Sequence, residues 1–195
     1  MKVLELFSGT GSVGKVCRDK GWEVISLDLK KADINTDILK WNYKDYPVGH
    51  FDLIWASPPC NSFSRLLSIA IPKKEDREKM MNEIGLPILY KTREIIEYFK
   101  PKYFFIENPD TGRMKNYITD LPYYVVDYCK YSDWGHRKRT RIWTNKENFT
   151  PKMCKRDCDN MSEDRKKHRD RIDRLPRREA VRIPRDLIIS LFEGI

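Results

Sequence analysis

Residues 51–64 read FDLIWASPPCNSFS. A β-favouring apolar run, Phe51, Leu53, Ile54, Trp55 and Ala56, ends at two prolines and hands Cys60 to the loop beyond. Pro58 and Pro59 fix φ and cannot donate to a ladder, so they end the strand and stiffen that loop. A thiol held in a stiff loop at a strand end is placed as a nucleophile. The competing reading is a small buried hydrophobe, the commoner fate of a free cysteine.

Upstream, Lys2–Phe7 (KVLELF) predicts a buried strand, and Ser8–Gly14 (SGTGSVG) predicts a glycine-rich turn opening a helix to about Lys20. Strand, glycine turn and helix bring a nucleotide-like ligand close to bare backbone and a helix N-terminus. Trp22–Leu27 (WEVISL) is a second strand ending at Asp28, where a carboxylate can take the two hydroxyls of a ribose. No G-K-[ST] pattern follows Gly14, so the loop suits an adenosyl ligand without a triphosphate. Asp37, in NTDI, is an acceptor for an exocyclic amine such as that of adenine, or else an N-cap for a short segment Ile38–Trp41.

Downstream, Arg65–Asn82 reads as charged and irregular. A helical pattern then runs from about Gly85 to Phe99, with Pro87 in its first turn and Leu89, Ile96 and Phe99 on one face, until Lys100–Pro101 stops it. Lys102–Glu107 (KYFFIE) is another strand, delivering Glu107, Asn108 and Pro109 to a loop. Tyr123–Tyr131 and Thr140–Thr144 predict a late strand pair. The strand ends of a parallel α/β sheet face its ligand crevice, so Cys60, Glu107, Asp28 and the glycine loop should meet on one edge. For Glu107 taken alone, a loop-capping carboxylate is the plainer alternative.

At 195 residues and 40% hydrophobic, the chain predicts a single domain with a real core. No run approaches a membrane span, and the N-terminus opens on a strand, not a charged-then-apolar leader, so the expectation is a soluble protein, intracellular and cytoplasmic, in a host cell if the source is a phage or virus. Five unevenly spaced cysteines argue against a disulfide framework. Charge is localised: Lys130–Arg178 carries 17 basic and 8 acidic residues, against 19 and 18 in Met1–Cys129 and 2 and 3 in Glu179–Ile195. This segment is arginine-rich and carries Tyr131, Trp134 and Trp143, which favours a polyanion partner, most simply nucleic acid, over a merely solvated face.

In order along the chain, these motifs resemble those of the DNA cytosine-5 methyltransferase family. LFSGTGSVG is similar to the family's cofactor loop, SPPCNSFS to its catalytic Pro-Cys loop, FIENP to its Glu-Asn motif, RKRTR to its two arginines one residue apart, and AVRIPRDLI to its closing segment. The resemblance implies a Rossmann-like α/β fold, a mostly parallel sheet flanked by helices that binds S-adenosylmethionine. It implies Cys60 as the nucleophile on cytosine carbon 6, Glu107 holding and protonating N3, and Arg139 and Arg141 stabilising the base oxygen, a phosphate and the thiolate. Cofactor contacts would come from Phe7, Ser8, Gly9, Thr10, Gly11, Asp28, Asp37 and Pro58, and nucleic-acid contacts from Ser64, Arg137, Lys138, Lys152, Lys155 and Arg156. Asn108 reads as a loop-ordering residue. The target base must be flipped out or single-stranded.

The implied organisation is a catalytic core over residues 1–145, a short basic insert at 146–179 in place of a target-recognition domain, and a C-terminal helix at 180–195 completing the core. So short an insert leaves room for a partner subunit in target recognition. The alternatives are an RNA cytosine-5 methyltransferase of transfer-RNA type and a non-catalytic nucleic-acid-binding relative. Within the insert, Cys154, Cys158 and His168 supply three ligands where a structural zinc takes four, so no metal is assigned and a flexible basic loop is expected.

Overall fold

The computed structural model describes residues 1–65 and 67–195. Its strands are β1 (Lys2–Leu6), β2 (Glu23–Asp28), β3 (Ile34–Asn35), β4 (Leu53–Ala56), β5 (Tyr103–Pro109), β6 (Tyr123–Asp127) and β7 (Arg139–Thr144). They form one sheet in the order β3-β2-β1-β4-β5-β7-β6. The pairs β1–β2, β1–β4, β2–β3 and β4–β5 are parallel, and β7 runs antiparallel to both β5 and β6. The helices are α1 (Ser12–Asp19), α2 (Leu67–Ala70), α3 (Lys74–Met80), α4 (Leu86–Phe99), α5 (Arg177–Ala180) and α6 (Arg185–Leu191).

Both faces of the central strands are apolar because helices cover both. Leu53, Trp55 and Phe105 face Val13, Val16 and Cys17 of α1 and Leu187, Ile188 and Leu191 of α6. The alternate residues Ile54 and Ala56, with Leu4 and Leu6, face Ile95 and Phe99 of α4. The expected mostly parallel, helix-flanked sheet is what forms. Strand order reverses between β1 and β4, so the glycine loop after β1 and the Pro-Cys loop after β4 open at the same switch point.

Local differences from the sequence reading have physical causes. Within Arg65–Asn82, residues 67–70 and 74–82 are helical, not irregular, and α3 continues into a π-helical turn, Met81–Gly85. None of the α3 residues is buried, so no apolar period announces it; Lys74–Glu78 and Lys79–Glu83 pairs support it instead. Position 66, in the same stretch expected to be irregular, lies outside the described residues. At Gly85 an added Cβ would lie 2.8 Å from Ser62 Cβ, so this turn braces the Cys60 loop through bare backbone. Residues 38–40 form a turn, not a helix. Strand β6 stops at Asp127, and Tyr128–Lys130 wind into a 3-10 turn. Strand β5 runs on through Glu107 and Asn108 to Pro109, paired there with β7 alone, because its pairing with β4 ends at Ile106 opposite Ala56. Among the described residues, no helix is long and apolar enough to cross a membrane.

Candidate active site

Two strand ends build the site. Strand β4 ends at Ala56, and Ser57–Pro59 carry the chain to Cys60, which is half-buried and opens a short 3-10 turn, Asn61–Phe63. On the neighbouring strand, Glu107 and Asn108 lie just past the last β4 partner. The Asn108 side-chain amide donates to the Pro58 carbonyl at 2.8 Å, which fixes the loop against β5. Glu107 is 5% exposed, and its Oε1 accepts from the Tyr128 hydroxyl at 3.0 Å and lies 3.6 Å from Lys138 Nζ. The Lys138 ammonium also sits 5.0 Å from the centre of the Tyr128 ring.

Burial is the largest influence on the Cys60 thiol and pushes its pKa up; Lys138 pulls against it, the Glu107 charge adds to it, and Arg177 pulls it down. Lys138, Glu107 and Arg177 thus all act on the Cys60 thiol through charge. A thiol needs such cations to reach its reactive, ionised form.

The two arginines expected beside the base instead pair with carboxylates, on the strand face opposite Glu107. Arg139 donates to both oxygens of Asp127, at 3.1 and 3.0 Å, and Arg137 to Oδ1 of the same carboxylate at 2.9 Å. Arg141 donates to Asp110 at 2.8 Å and stacks 3.8 Å above the Tyr123 ring. The register explains this. Glu107 stands opposite Ile142, so it shares a face with Ile142 and Thr140, whereas Arg139 and Arg141 share the other face with Asn108. Alternation along RKRTR thus gives Glu107 a lysine, a residue read from sequence only as a nucleic-acid contact. Tyr128 and Arg177 had no sequence signal.

The glycine loop is wound tightly. Phe7, Gly9 and Gly11 have φ of 59°, 51° and 67°, a left-handed path that a bulky residue such as Phe7 rarely takes. Asp28 supports it: its Oδ2 accepts from the Gly9 amide at 2.9 Å and its Oδ1 from the Leu29 amide at 2.7 Å. Thr10 and Ser12 share a hydroxyl hydrogen bond at 2.8 Å, and the Gly11 amide donates to the Ser8 carbonyl. A Cβ added at Gly11 would meet nothing within 4 Å, so the loop presents open backbone beside the start of α1. That donor set, with a carboxylate at the end of β2, fits an adenosyl ligand. Asp37 accepts from the Leu39 amide at 3.0 Å, which is the capping geometry, at a turn. Pro58 is buried, its carbonyl taken by Asn108.

One residue of the loop's support went unread in the sequence. Glu5, in the middle of β1, is 3% exposed and accepts from the Val13 and Gly14 amides at 3.2 and 3.1 Å, satisfying the first turn of α1. Burial raises its pKa to about 7, with those two amides and Arg18 opposing and Asp33 adding. A lone polar residue in an apolar strand was the available signal.

Of the nucleic-acid candidates, Lys152, Lys155 and Arg156 are exposed, whereas Ser64 is half-buried with its amide on the Asn61 carbonyl. Arg137 is half-buried on Asp127.

Residues 1–116 match the family described as C-5 cytosine-specific DNA methylase. A Frog virus 3 (isolate Goorha) protein bearing the name "Probable DNA (cytosine-5)-methyltransferase" is 52% identical over 170 residues, 83% of this chain and 79% of that protein. Among solved structures, the Entamoeba histolytica methyltransferase EhMeth superposes with a TM-score of 0.53 at 14% identity, covering 88% of this chain and 57% of that one. A modification methyltransferase encoded within an E. coli prophage superposes with a TM-score of 0.50 at 16% identity, covering 78% and 51%. This chain thus spans little more than half the length of those solved chains, and at such identities they speak for the fold alone. On the family match and the viral relative, the chain belongs to the C-5 cytosine-specific DNA methylase family.

Proposed function

We propose that this chain methylates carbon 5 of cytosine in DNA, with Cys60 as nucleophile and Glu107 as the group that holds N3. The observation that carries this reading is the convergence of Cys60, Glu107 and Lys138 where the β4 and β5 ends meet, locked by Asn108 on Pro58. The Cys60 thiolate forms a bond to carbon 6, Glu107, entering this step protonated, gives its proton to N3 and becomes a carboxylate, and the displaced electron pair makes carbon 5 nucleophilic. S-adenosylmethionine supplies an electrophilic methyl group at that carbon. The carbon 5 hydrogen then leaves as a proton to water, its electron pair re-forms the carbon 5–carbon 6 double bond, Cys60 departs as thiolate, and N3 returns its proton to Glu107.

Lys138 favours the ionised thiol and stabilises the carboxylate that Glu107 becomes once its proton is given, while Tyr128 orients that group. Phe7, Ser8, Gly9, Thr10, Gly11 and Asp28 would hold the methyl donor, with Asp37 and Pro58 at its margins. Arg139 and Arg141 act in this reading as positioning residues, through Asp127 and Asp110. The DNA phosphates would run over the basic segment, with a partner subunit supplying the target-recognition surface that the short insert lacks. All five cysteines are free of disulfides, which suits a reducing compartment such as a host cytoplasm.

The test is a duplex carrying 5-fluorocytosine, incubated with protein and S-adenosylmethionine and run on a denaturing gel. Fluorine cannot leave as a proton would, so a covalent band should accumulate and vanish in Cys60→Ala. A band on RNA alone would replace the DNA reading with the RNA one. No band on either polymer, with cofactor bound, would overturn the proposed chemistry for the chain acting alone.

A further inference from the structure

Residues 146–179 have almost no core of their own. Within them only Cys154, Cys158, Asn160 and Met161 are buried, and the apolar members of that set cluster with a single residue of the sheet domain, Cys129. Three buried apolar side chains cannot repay the ordering entropy of a basic segment this long, and small coreless units are usually stapled by a disulfide or a metal.

The side chains there have the chemistry of a staple. The ligand atoms of Cys129, Cys154, Cys158 and His168 all lie within 4.8 Å of one another. Cys154 Sγ is 3.6 Å from Cys158 Sγ and 3.6 Å from His168 Nε2, and Cys158 Sγ is 3.4 Å from the same nitrogen. A tetrahedral zinc about 2.3 Å from sulfur and ~2.0–2.1 Å from nitrogen holds its ligand atoms roughly 3.5–3.8 Å apart. A disulfide would need its sulfurs at about 2.05 Å, so the cysteine pair is spaced for sharing an ion, not for bonding to itself.

The backbone is shaped to deliver these ligands. Cys129 sits on the 3-10 turn that ends β6. Arg156, between the two insert cysteines, has φ of 68°, and its amide points at Cys154 Sγ at 3.3 Å, a contact that favours a thiolate. The turn closed by the Ser162 amide on the Lys167 carbonyl brings His168 back opposite Met161. Asn160 ties the assembly to the sheet domain, its side-chain amide donating to the Cys129 and Ser132 carbonyls at 3.0 and 2.6 Å and its oxygen accepting from the Gly135 amide at 2.9 Å.

We infer that Cys129, Cys154, Cys158 and His168 form a structural zinc site that fastens the basic insert to the end of β6. Three thiolates and one imidazole, closed and largely buried, select zinc over hard oxygen-seeking cations and leave no position for catalysis. The site also reaches the catalytic strands: the Cys154 amide donates at 2.9 Å to Asp127 Oδ2, and Asp127 is the residue that holds Arg137 and Arg139. The inference is independent of the proposed methyl transfer.

The experiment is metal analysis of the full chain, produced without a metal-affinity tag in zinc-supplemented medium and kept reduced. About one zinc per chain is expected for a closed four-ligand site. Cobalt exchanged into the same protein should give thiolate-to-metal charge-transfer bands and the intense visible bands of a tetrahedral ion. Cys129→Ser and His168→Ala should lose metal, His168→Cys should keep it, and Cys60→Ser, outside the cluster, should keep the parent's metal content. Chelation should expose the insert to trypsin while the sheet core stays resistant. Zinc no higher than the buffer blank, with no tetrahedral cobalt spectrum, would overturn the inference; so would a Cys154–Cys158 disulfide found in metal-replete, reduced protein.

Discussion

Asn108 reaches from β5 to the Pro58 carbonyl at 2.8 Å, so the strand that carries Glu107 also holds the loop that carries Cys60. A buried hydrogen bond thereby ties the Cys60 loop to the Glu107 strand. Replacing Asn108 by Ala removes the donor and leaves a carbonyl without its partner, a loss of about 1–3 kcal/mol when such a group stays buried. A displacement of Cys60 by an ångström costs about 100-fold in rate. Covalent trapping by Asn108→Ala on 5-fluorocytosine DNA should therefore slow by about 10- to 100-fold, while S-adenosylmethionine affinity measured by calorimetry stays near the parent value. Trapping at the parent rate would show that the loop is held by other means.

Lys138 predicts a pH effect on Cys60. A nearby cation favours the thiolate, so removing it lets burial and Glu107 push the thiol further up. In Lys138→Met the rate of Cys60 alkylation by iodoacetamide should rise with pH along a curve displaced to higher pH, and activity at neutral pH should fall. Lys138→Arg should return part of the displacement. An alkylation curve that does not move would assign the role to Arg177 instead.

What could be read from the sequence was what the chain makes contiguous. Leu53–Ala56, Pro58, Pro59 and Cys60 are covalent neighbours, so a strand ending in a stiff cysteine loop was visible from residue types alone, and the glycine loop with Asp28 likewise. Glu107 was visible as the end of an apolar run. Which residue faces it was not: that depends on Glu107 standing opposite Ile142, and a shift of one position would have given it Arg139 or Arg141 in place of Lys138. Tyr128 looked like one more aromatic in a strand, and only the turn that begins there aims its hydroxyl at Glu107. Cys129 was separated from Cys154, Cys158 and His168 by an entire strand, so counting spacings within the insert left that cluster one ligand short.

Glu5 makes stability depend on pH in the direction opposite to an ordinary paired carboxylate. Its native pKa, about 7, lies above its ordinary value of 4.5, chiefly because of burial, so the native state binds this proton more tightly than the unfolded chain does. Its contribution is fully present below pH 4.5 and is lost as pH rises towards 7, a change of roughly 3 kcal/mol at about 1.36 kcal/mol per pH unit. Glu5→Gln cannot ionise and should lose this slope. It should also be less stable than the parent at low pH, because one amide of the Val13–Gly14 pair then faces an NH2 group. Urea unfolding at several pH values reads both effects, and a parallel slope in the two proteins would show that Glu5 is not its source.

The exposed cations of the insert should act through charge alone. Lys152, Lys155 and Arg156 lie on the surface, and the Lys155 and Arg156 amides are engaged with Asp157 and Cys154 while their side chains project outward. Substituting all three by Ala should weaken binding to every DNA sequence alike and reduce the slope of log affinity against log salt by about 0.9 for each phosphate no longer neutralised. None of the three reaches the Cys60 cluster, so alkylation of Cys60 and its pH dependence should be unchanged. Arg139→Ala should behave differently, since it strips a partner from the buried Asp127 and so loosens the strand beside the site as well as the insert. Fluorescence anisotropy across a salt series separates the two: a triple variant with the parent's slope would move the nucleic-acid path off the insert and onto the half-buried residues of 137–141.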